Sequence, residues 1–331
     1  MLKTNNIKNK LSNFEDMRQI ELTFNSNEDL NLLLGKNSKN LEKLNEALDV
    51  KISFFGNKLI FFGKKKNIEL TEKLVKKVYD ILKLDKENNQ YVDFSIFESE
   101  YSMLTNNNSV DTSIKVLNSV ETWKKTIYPK SEGQKKYLKA IEDYDLIFGL
   151  GPAGTGKSYL AVAKAVEFLK KGNIDKIILS RPAVEAGENL GFLPGDMKDK
   201  VDPYLRPIYD ALYEMMPFEI VEKKIQEGII EIAPVAFMRG RTFKNSFIII
   251  DEAQNTSSIQ MKMILTRLGH GSKMVLNGDL SQIDIKYIND SGLSAAQKKL
   301  SHIKKIKFIN FNKKDIVRHN LVSEIIKAYG R

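Results

Sequence analysis

Residues Leu146–Leu169 read LIFGLGPAGTGKSYLAVAKAVEFL: an apolar run, a glycine-rich turn, then apolar positions at helical spacing. The order strand, GPAGTGKS, helix puts Gly151, Gly156, Lys157 and Ser158 on the G-x-x-x-x-G-K-[ST] spacing of a phosphate-binding loop. Each residue type has a physical reason. Glycines let the backbone curl so that successive N–H groups face phosphate oxygens, and the helix opening at Lys157 adds roughly +0.5 charge at its N-terminus. Gly151, Pro152, Ala153, Gly154, Thr155, Gly156, Lys157 and Ser158 are therefore the expected phosphate cradle. Lys157 is expected to reach the β- and γ-phosphates and the Ser158 hydroxyl to ligate Mg²⁺.

Downstream, Phe247–Ile250 (FIII) reads as a buried strand ending in Asp251-Glu252-Ala253-Gln254. Asp251 is placed to hold Mg²⁺ through water, and Glu252 to orient and deprotonate an attacking water. A third strand, Lys273–Asn277, precedes Gly278-Asp279 and Gln282, where Asp279 and Gln282 are expected to sense the γ-phosphate. Lys176–Arg181 (KIILSR) reads as another buried parallel strand, reached by a crossover through the helix after the phosphate loop. The Gly- and Pro-rich text that follows it, from Pro182 to Leu212, is where loops of a site are expected. Residues 306–311 supply a last strand, and DIVRHNLVSEIIKAY a last helix presenting Arg318 near its start. Upstream, Gln134 opens a helix, and its side-chain amide has the donor and acceptor that an adenine edge requires.

The chain of 331 residues is long enough for two domains, and 42% hydrophobic with 28% charged residues is an ordinary globular composition. No apolar run approaches the ~18 residues of a membrane span, and MLKTNNIKNK lacks an apolar signal core, so the expectation is a cytoplasmic protein without membrane contact. Cysteine is absent and only three histidines are present, which removes disulfides and thiolate metal sites. The formal net charge of +10 suits a polyanion such as RNA, or equally reflects general Lys and Asn usage.

Residues 1–13 are polar and expected to fray. From 14 to 84 the pattern is strand, helix capped at Asn27-Glu28-Asp29, turn, helix, two strands joined by Gly56-Asn57, helix. This order resembles a KH-type RNA-binding module, in which a GXXG loop clamps backbone nucleotides. The corresponding loop is Gly35-Lys36-Asn37-Ser38, with serine at the fourth position, so a small α+β domain used for protein contacts stays open beside the RNA reading. Phe54, Phe55, Phe61 and Phe62 are candidate base-stacking residues, but neighbours on a strand face opposite ways and half belong to the core. Residues 85–127 read as a connector, with an edge strand at Ile114–Val120, and the second domain as 128–331.

The segments PKSEGQKKYLKAI, GPAGTGKSYLA, SRPAVEAGENLGFLPGDMKDKVDPYLRPIYDAL, FMRGRTF, IIIDEAQN, NGDLSQID and DIVRHNLV together resemble the PhoH-like ATPases, themselves similar to the first RecA-like core of superfamily 1 helicases. The resemblance implies an α/β fold: a RecA-like P-loop domain with a parallel sheet flanked by helices, preceded by the small α+β module. It implies ATP and Mg²⁺ as ligands, with Gln134 on adenine, Gly151 through Ser158 on phosphates, Asp251 and Glu252 as metal and catalytic carboxylates, and Gly278, Asp279 and Gln282 as the third helicase-like motif. Some relatives carry a PIN nuclease domain, but residues 1–90 lack the acidic cluster it needs. Superfamily 1 enzymes take a transition-state arginine from a second core. A single core points instead to a ring-like homo-oligomer in which Arg318, Arg239 or Arg241 reaches a neighbour's γ-phosphate, although internal ion pairs are the plainer use of such arginines.

Two functions follow: an ATP-hydrolysing enzyme acting on RNA, with an RNA-processing protein as a further partner, or a nucleotide-dependent switch assembling with proteins and no RNA. A small-molecule kinase is disfavoured, because no lid or substrate pocket is legible and the DEAQ and GDLSQ segments favour water as acceptor.

Overall fold

The computed structural model describes residues 17–84, 91–106, 119–182, 197–232, 234–283 and 291–317, with positions 321, 322, 325 and 328. The segment 1–13, Arg318 and residues 183–196 of the text after Arg181 lie outside the described residues. The chain divides into two compact units, Met1–Leu117 and Asn118–Arg331.

In the first unit the elements are β1 (Met17–Thr23), α1 (Asn27–Leu34), α2 (Lys39–Leu48), β2 (Val50–Phe55), β3 (Lys58–Lys64) and α3 (Lys65–Leu84), the expected order. The strands form an antiparallel sheet in the order β1-β3-β2. The cap of α1 is Ser26, whose hydroxyl accepts from the Asp29 N–H at 3.1 Å, one residue before the expected cap. Gly35 has φ +75°, and a Cβ there would stand 2.7 Å from Asn40 Nδ2. Asn37 and Ser38 are also left-handed, at φ +57° and +55°. Ser38 thus holds the backbone conformation that favours glycine, at a cost of about 1–2 kcal/mol.

The connector expected over 85–127 is shorter than its sequence suggested. Residues Phe94–Asn106 form a helix, α4, packed on α3 with Ile96, Phe97 and Met103 buried. Buried Asn40 fastens the approach to it, donating to Val92 O at 2.7 Å and Leu33 O at 3.0 Å. Val120–Glu121 (β4) pairs with Thr126–Ile127 (β5), so the described end of the expected edge strand belongs to a hairpin of the second unit.

The second unit holds α5 (Glu132–Asp143), β6 (Leu146–Leu150), α6 (Lys157–Lys170), β7 (Lys176–Ser180), α7 (Met197–Met215), α8 (Phe218–Gln226), β8 (Ile230–Ile232), β9 (Ser246–Ile250), α9 (Ser258–Leu265), β10 (Lys273–Gly278), α10 (Gly292–Leu300) and β11 (Ile306–Asn310). Six strands make a parallel sheet in the order β11-β6-β10-β9-β7-β8. The phosphate-loop strand β6 is second from one edge, between β10 and the edge strand β11. Alternation assigns Ile147, Phe247, Ile249 and Val275 to one core and Phe148, Ile248, Ile250 and Leu276 to the other, so the strands are buried on both faces and read as unbroken apolar runs.

Met197–Met215 is helical despite Pro203 and Pro207, where the sequence suggested site loops. Its Ile208, Ala211, Leu212 and Met215 recur at helical spacing and are buried, which outweighs the two missing N–H donors. No helix among the described residues is long and apolar enough to cross a membrane.

Lys164 on α6 is only 2% exposed, with Glu142 at 2.7 Å and Glu167 at 2.5 Å. Burial raises the pKa of Glu167, but Lys164 and Lys171 outweigh it and hold the carboxyl below its ordinary range. Lys164→Met leaves a buried carboxylate short of its closest partner, and urea melts are expected to show a loss of about 3 kcal/mol. Lys164→Met with Glu167→Leu should recover most of it; equal losses would show that volume, not charge, sets the cost.

Candidate functional site

β6 ends at Leu150, and the chain turns through Gly151–Gly156 into α6. Gly151, Gly154 and Gly156 have φ of +138°, +81° and +80°, conformations a Cβ disfavours. At Gly151 space adds a second reason: a Cβ would stand 2.5 Å from the Phe311 carbonyl oxygen. Lys157 Nζ folds over the loop, donating to Gly151 O at 2.7 Å, Pro152 O at 2.8 Å and Thr155 Oγ1 at 3.2 Å. Burial lowers its pKa, and the charges of Asp279, Asp251 and Glu252 oppose that shift.

The second wall follows β9. Buried Asp251 accepts from Ser158 Oγ through Oδ1 at 2.5 Å. Burial pushes the Asp251 carboxyl above its ordinary pKa, and the Ser158 hydroxyl opposes the shift. Glu252 is left-handed at φ +52°, a strain of the kind that concentrates at functional sites. Both its carboxylate oxygens are engaged: Oε1 accepts from Arg181 Nη2 at 3.2 Å and Oε2 from Gln254 Nε2 at 2.7 Å.

The third wall follows β10. A Cβ on Gly278 would stand 2.4 Å from Leu293 Cδ2 and 2.8 Å from Gln254 Oε1. Asp279 Oδ1 accepts from the Ser281 N–H and Oγ, while Oδ2 is buried with no hydrogen-bond partner in the chain as described. The Asp279 N–H donates to Gln254 Oε1 at 3.1 Å, so one buried glutamine spans Glu252 and Asp279. The three walls enclose a cavity of about 270 Å³ lined by Ala153, Gly154, Gly156, Lys157, Ser158, Tyr159, Asp251, Glu252, Gly278, Asp279 and Gln282.

The remaining expected residues separate. Gln134 is buried against the loop: Oε1 accepts from the Lys130 N–H at 2.6 Å and Nε2 donates to Thr155 O at 3.0 Å. An adenine would have only its second amide hydrogen and second lone pair. Arg241 is committed inside the chain, paired with both oxygens of Glu231 and stacked over Phe243 at 4.6 Å, so the internal ion pair is its observed use. Arg239 is exposed. Arg318 lies outside the described residues; the Val317 N–H before it donates to Gly154 O at 2.9 Å.

Two residues carry more than the sequence reading gave them. Arg181 stood in KIILSR as a strand end and Gln254 in DEAQ without a role; a charge closing a buried strand is the signal available for the first. Gln254→Ala removes one of the two donors on Glu252 and is expected to lower kcat by about ten- to a hundredfold while ATP affinity holds. Phosphate-release kinetics beside nucleotide titration checks this, and a change confined to affinity would contradict it.

The donor set suits Mg²⁺. Ser158 Oγ and Asp251 Oδ1 are in contact, and Asp279 lines the same cavity. Among the described residues no three His, Cys, Asp or Glu form a metal cage, and Mg²⁺ needs none, binding through one or two carboxylates plus substrate phosphates.

The sequence profile of the PhoH-like protein family matches residues 126–330. The chain is 51% identical over 267 residues to a PhoH-like protein of Bacillus subtilis (strain 168), covering 81% of this chain and 77% of the relative. It is 45% identical over 300 residues to a PhoH-like protein of Mycobacterium tuberculosis (strain ATCC 25618 / H37Rv), covering 90% and 84%. With Protein PhoH of Escherichia coli (strain K12) the identity is 44% over 206 residues, covering 62% and 58%. A phosphate loop, paired carboxylates and a third wall on one parallel sheet thus coincide with a profile spanning most of the second unit, and the chain belongs to the PhoH-like protein family.

Proposed function

We propose that the chain binds ATP with Mg²⁺, hydrolyses it, and couples hydrolysis to RNA. The observation that carries the nucleotide site is the meeting of Ser158 Oγ and Asp251 Oδ1 at 2.5 Å in a cavity that Lys157 and Glu252 also line. The loop N–H groups and the start of α6 hold the phosphates, and Lys157 leaves the Gly151 and Pro152 carbonyls to meet them. Ser158 and Asp251 hold Mg²⁺, which neutralises charge on the phosphate oxygens when bound. Glu252, fixed by Arg181 and Gln254, orients a water and takes its proton. Asp279, tied to Gln254, moves with the phosphate's departure and passes the change to Glu252. An arginine from a neighbouring copy in a ring-like homo-oligomer, Arg239 or Arg318, meets the charge that builds on the γ-phosphate. RNA is supported by the net charge of +10 and by the strand and helix order of the first unit, whose Gly35–Ser38 backbone is left-handed at three of four positions.

The deciding experiment is the ATPase rate of the purified chain with and without single-stranded RNA. Stimulation by RNA, with binding that weakens as salt rises, is the expected result. Hydrolysis indifferent to RNA would keep the nucleotide site and transfer the output to a protein partner.

A further inference from the structure

Among the described residues, the sheet of the first unit is covered on one side only. Helices pack against β1, β2 and β3, and the inward side chains Ile52, Leu59 and Phe61 are buried. The strand register places the alternate set on the other face. There Phe62 of the central strand lies opposite Lys51, and Lys58 lies opposite Phe55, with Ile60 between the two rows. Phe55 is 80% exposed and Phe62 45%, and Lys51 and Lys64 are exposed beside them. Two exposed phenylalanines on one sheet face are informative, since isolated apolar residues at a surface are ordinary and grouped aromatics are not. Glu21 shares this face, and its carboxylate is already met by Lys58 at 2.7 Å.

We propose that this open face is a stacking platform for single-stranded RNA, with Phe55 and Phe62 receiving bases and Lys51 and Lys64 facing phosphates. The proposal rests on the RNA-coupled reading above and adds a surface to it. The Gly35–Ser38 loop joins two helices of the opposite layer, so the platform is separate from a loop clamp. Charge selects the occupant: protein interfaces are depleted of lysine, whereas lysines interleaved with aromatics are what single-stranded nucleic acid requires. Spacing agrees as well. Positions 58 and 62 are four residues apart, or about 13 Å at the rise of a strand, so the two rings take different bases.

The test is anisotropy of a labelled twelve-nucleotide oligouridylate on the full chain, with Phe55→Ala/Phe62→Ala and Lys51→Gln/Lys64→Gln as variants. Thermal melts monitor folding, which these exposed positions should leave unchanged. The aromatic pair is expected to weaken binding by about ten- to a hundredfold with the salt slope preserved. The lysine pair should reduce the slope. A Trp123→Phe/Phe62→Trp chain, whose only tryptophan is then the platform residue, should be quenched by the RNA. Wild-type binding matched by the aromatic variant, without quenching, overturns the platform and leaves the RNA reading standing. A wild-type chain that binds no RNA overturns both. An aromatic variant that changes only the oligomeric state assigns the face to contact between copies and overturns the proposal too.

Discussion

Lys157→Ala is expected to abolish ATP hydrolysis and weaken ATP binding by at least about tenfold, the value of one charge-assisted hydrogen bond of ~1.5–3 kcal/mol. The ammonium group is the cation that the loop itself supplies, and its present partners are the carbonyls of Gly151 and Pro152. Those are neutral acceptors, so phosphate oxygens compete for Nζ at low cost. The rate falls further than the affinity because charge builds on the phosphoryl oxygens during transfer. Calorimetric titration with ATP, beside phosphate release, separates the two effects. A variant binding ATP as the wild type does would remove Lys157 from the cradle.

Glu252→Gln is expected to slow hydrolysis by about 10²- to 10⁴-fold, the usual contribution of a positioned base, while ATP stays bound. The substitution keeps the volume and an oxygen for Arg181, and removes the charge and the capacity to take a proton. Its new amide also meets Gln254 Nε2, a donor against a donor, so a modest local shift is expected at Asp279. Filter retention of labelled ATP over several minutes, compared with wild type, reads the trapped state. Equal loss of ATP affinity in Lys157→Ala and Glu252→Gln would contradict the division between cradle and base.

Much of this site is legible in the sequence because its chemistry is local. Gly151 through Ser158 are contiguous, and Asp251-Glu252 and Gly278-Asp279 each close an apolar run that only a buried parallel strand explains. What escaped depends on distance. The Arg181 to Glu252 pair joins residues 71 apart, and the Gln254 bridge exists only once β9 and β10 lie side by side. The helix at Met197–Met215 was hidden by its prolines, since its stability comes from burial of Leu212 and Met215 and not from propensity. Arg241 shows the converse: as a cation in RGRTF it suited a reach in trans, and the nearby Glu231 claims it.

The phosphate loop also has a late neighbour. β6 lies between β10 and β11, and the segment beyond β11 touches the loop itself: Phe311 N–H bonds Leu150 O at 2.7 Å, Val317 N–H bonds Gly154 O, and Asp315 accepts from the Gly133 N–H that opens α5. During synthesis the cradle residues leave the ribosome more than 150 positions before these partners. Until then β6 has only β10 beside it, and its open apolar edge and unsupported loop are a template for wrong pairings. The phosphate loop therefore gains these supports only once residues 306–317 have been made.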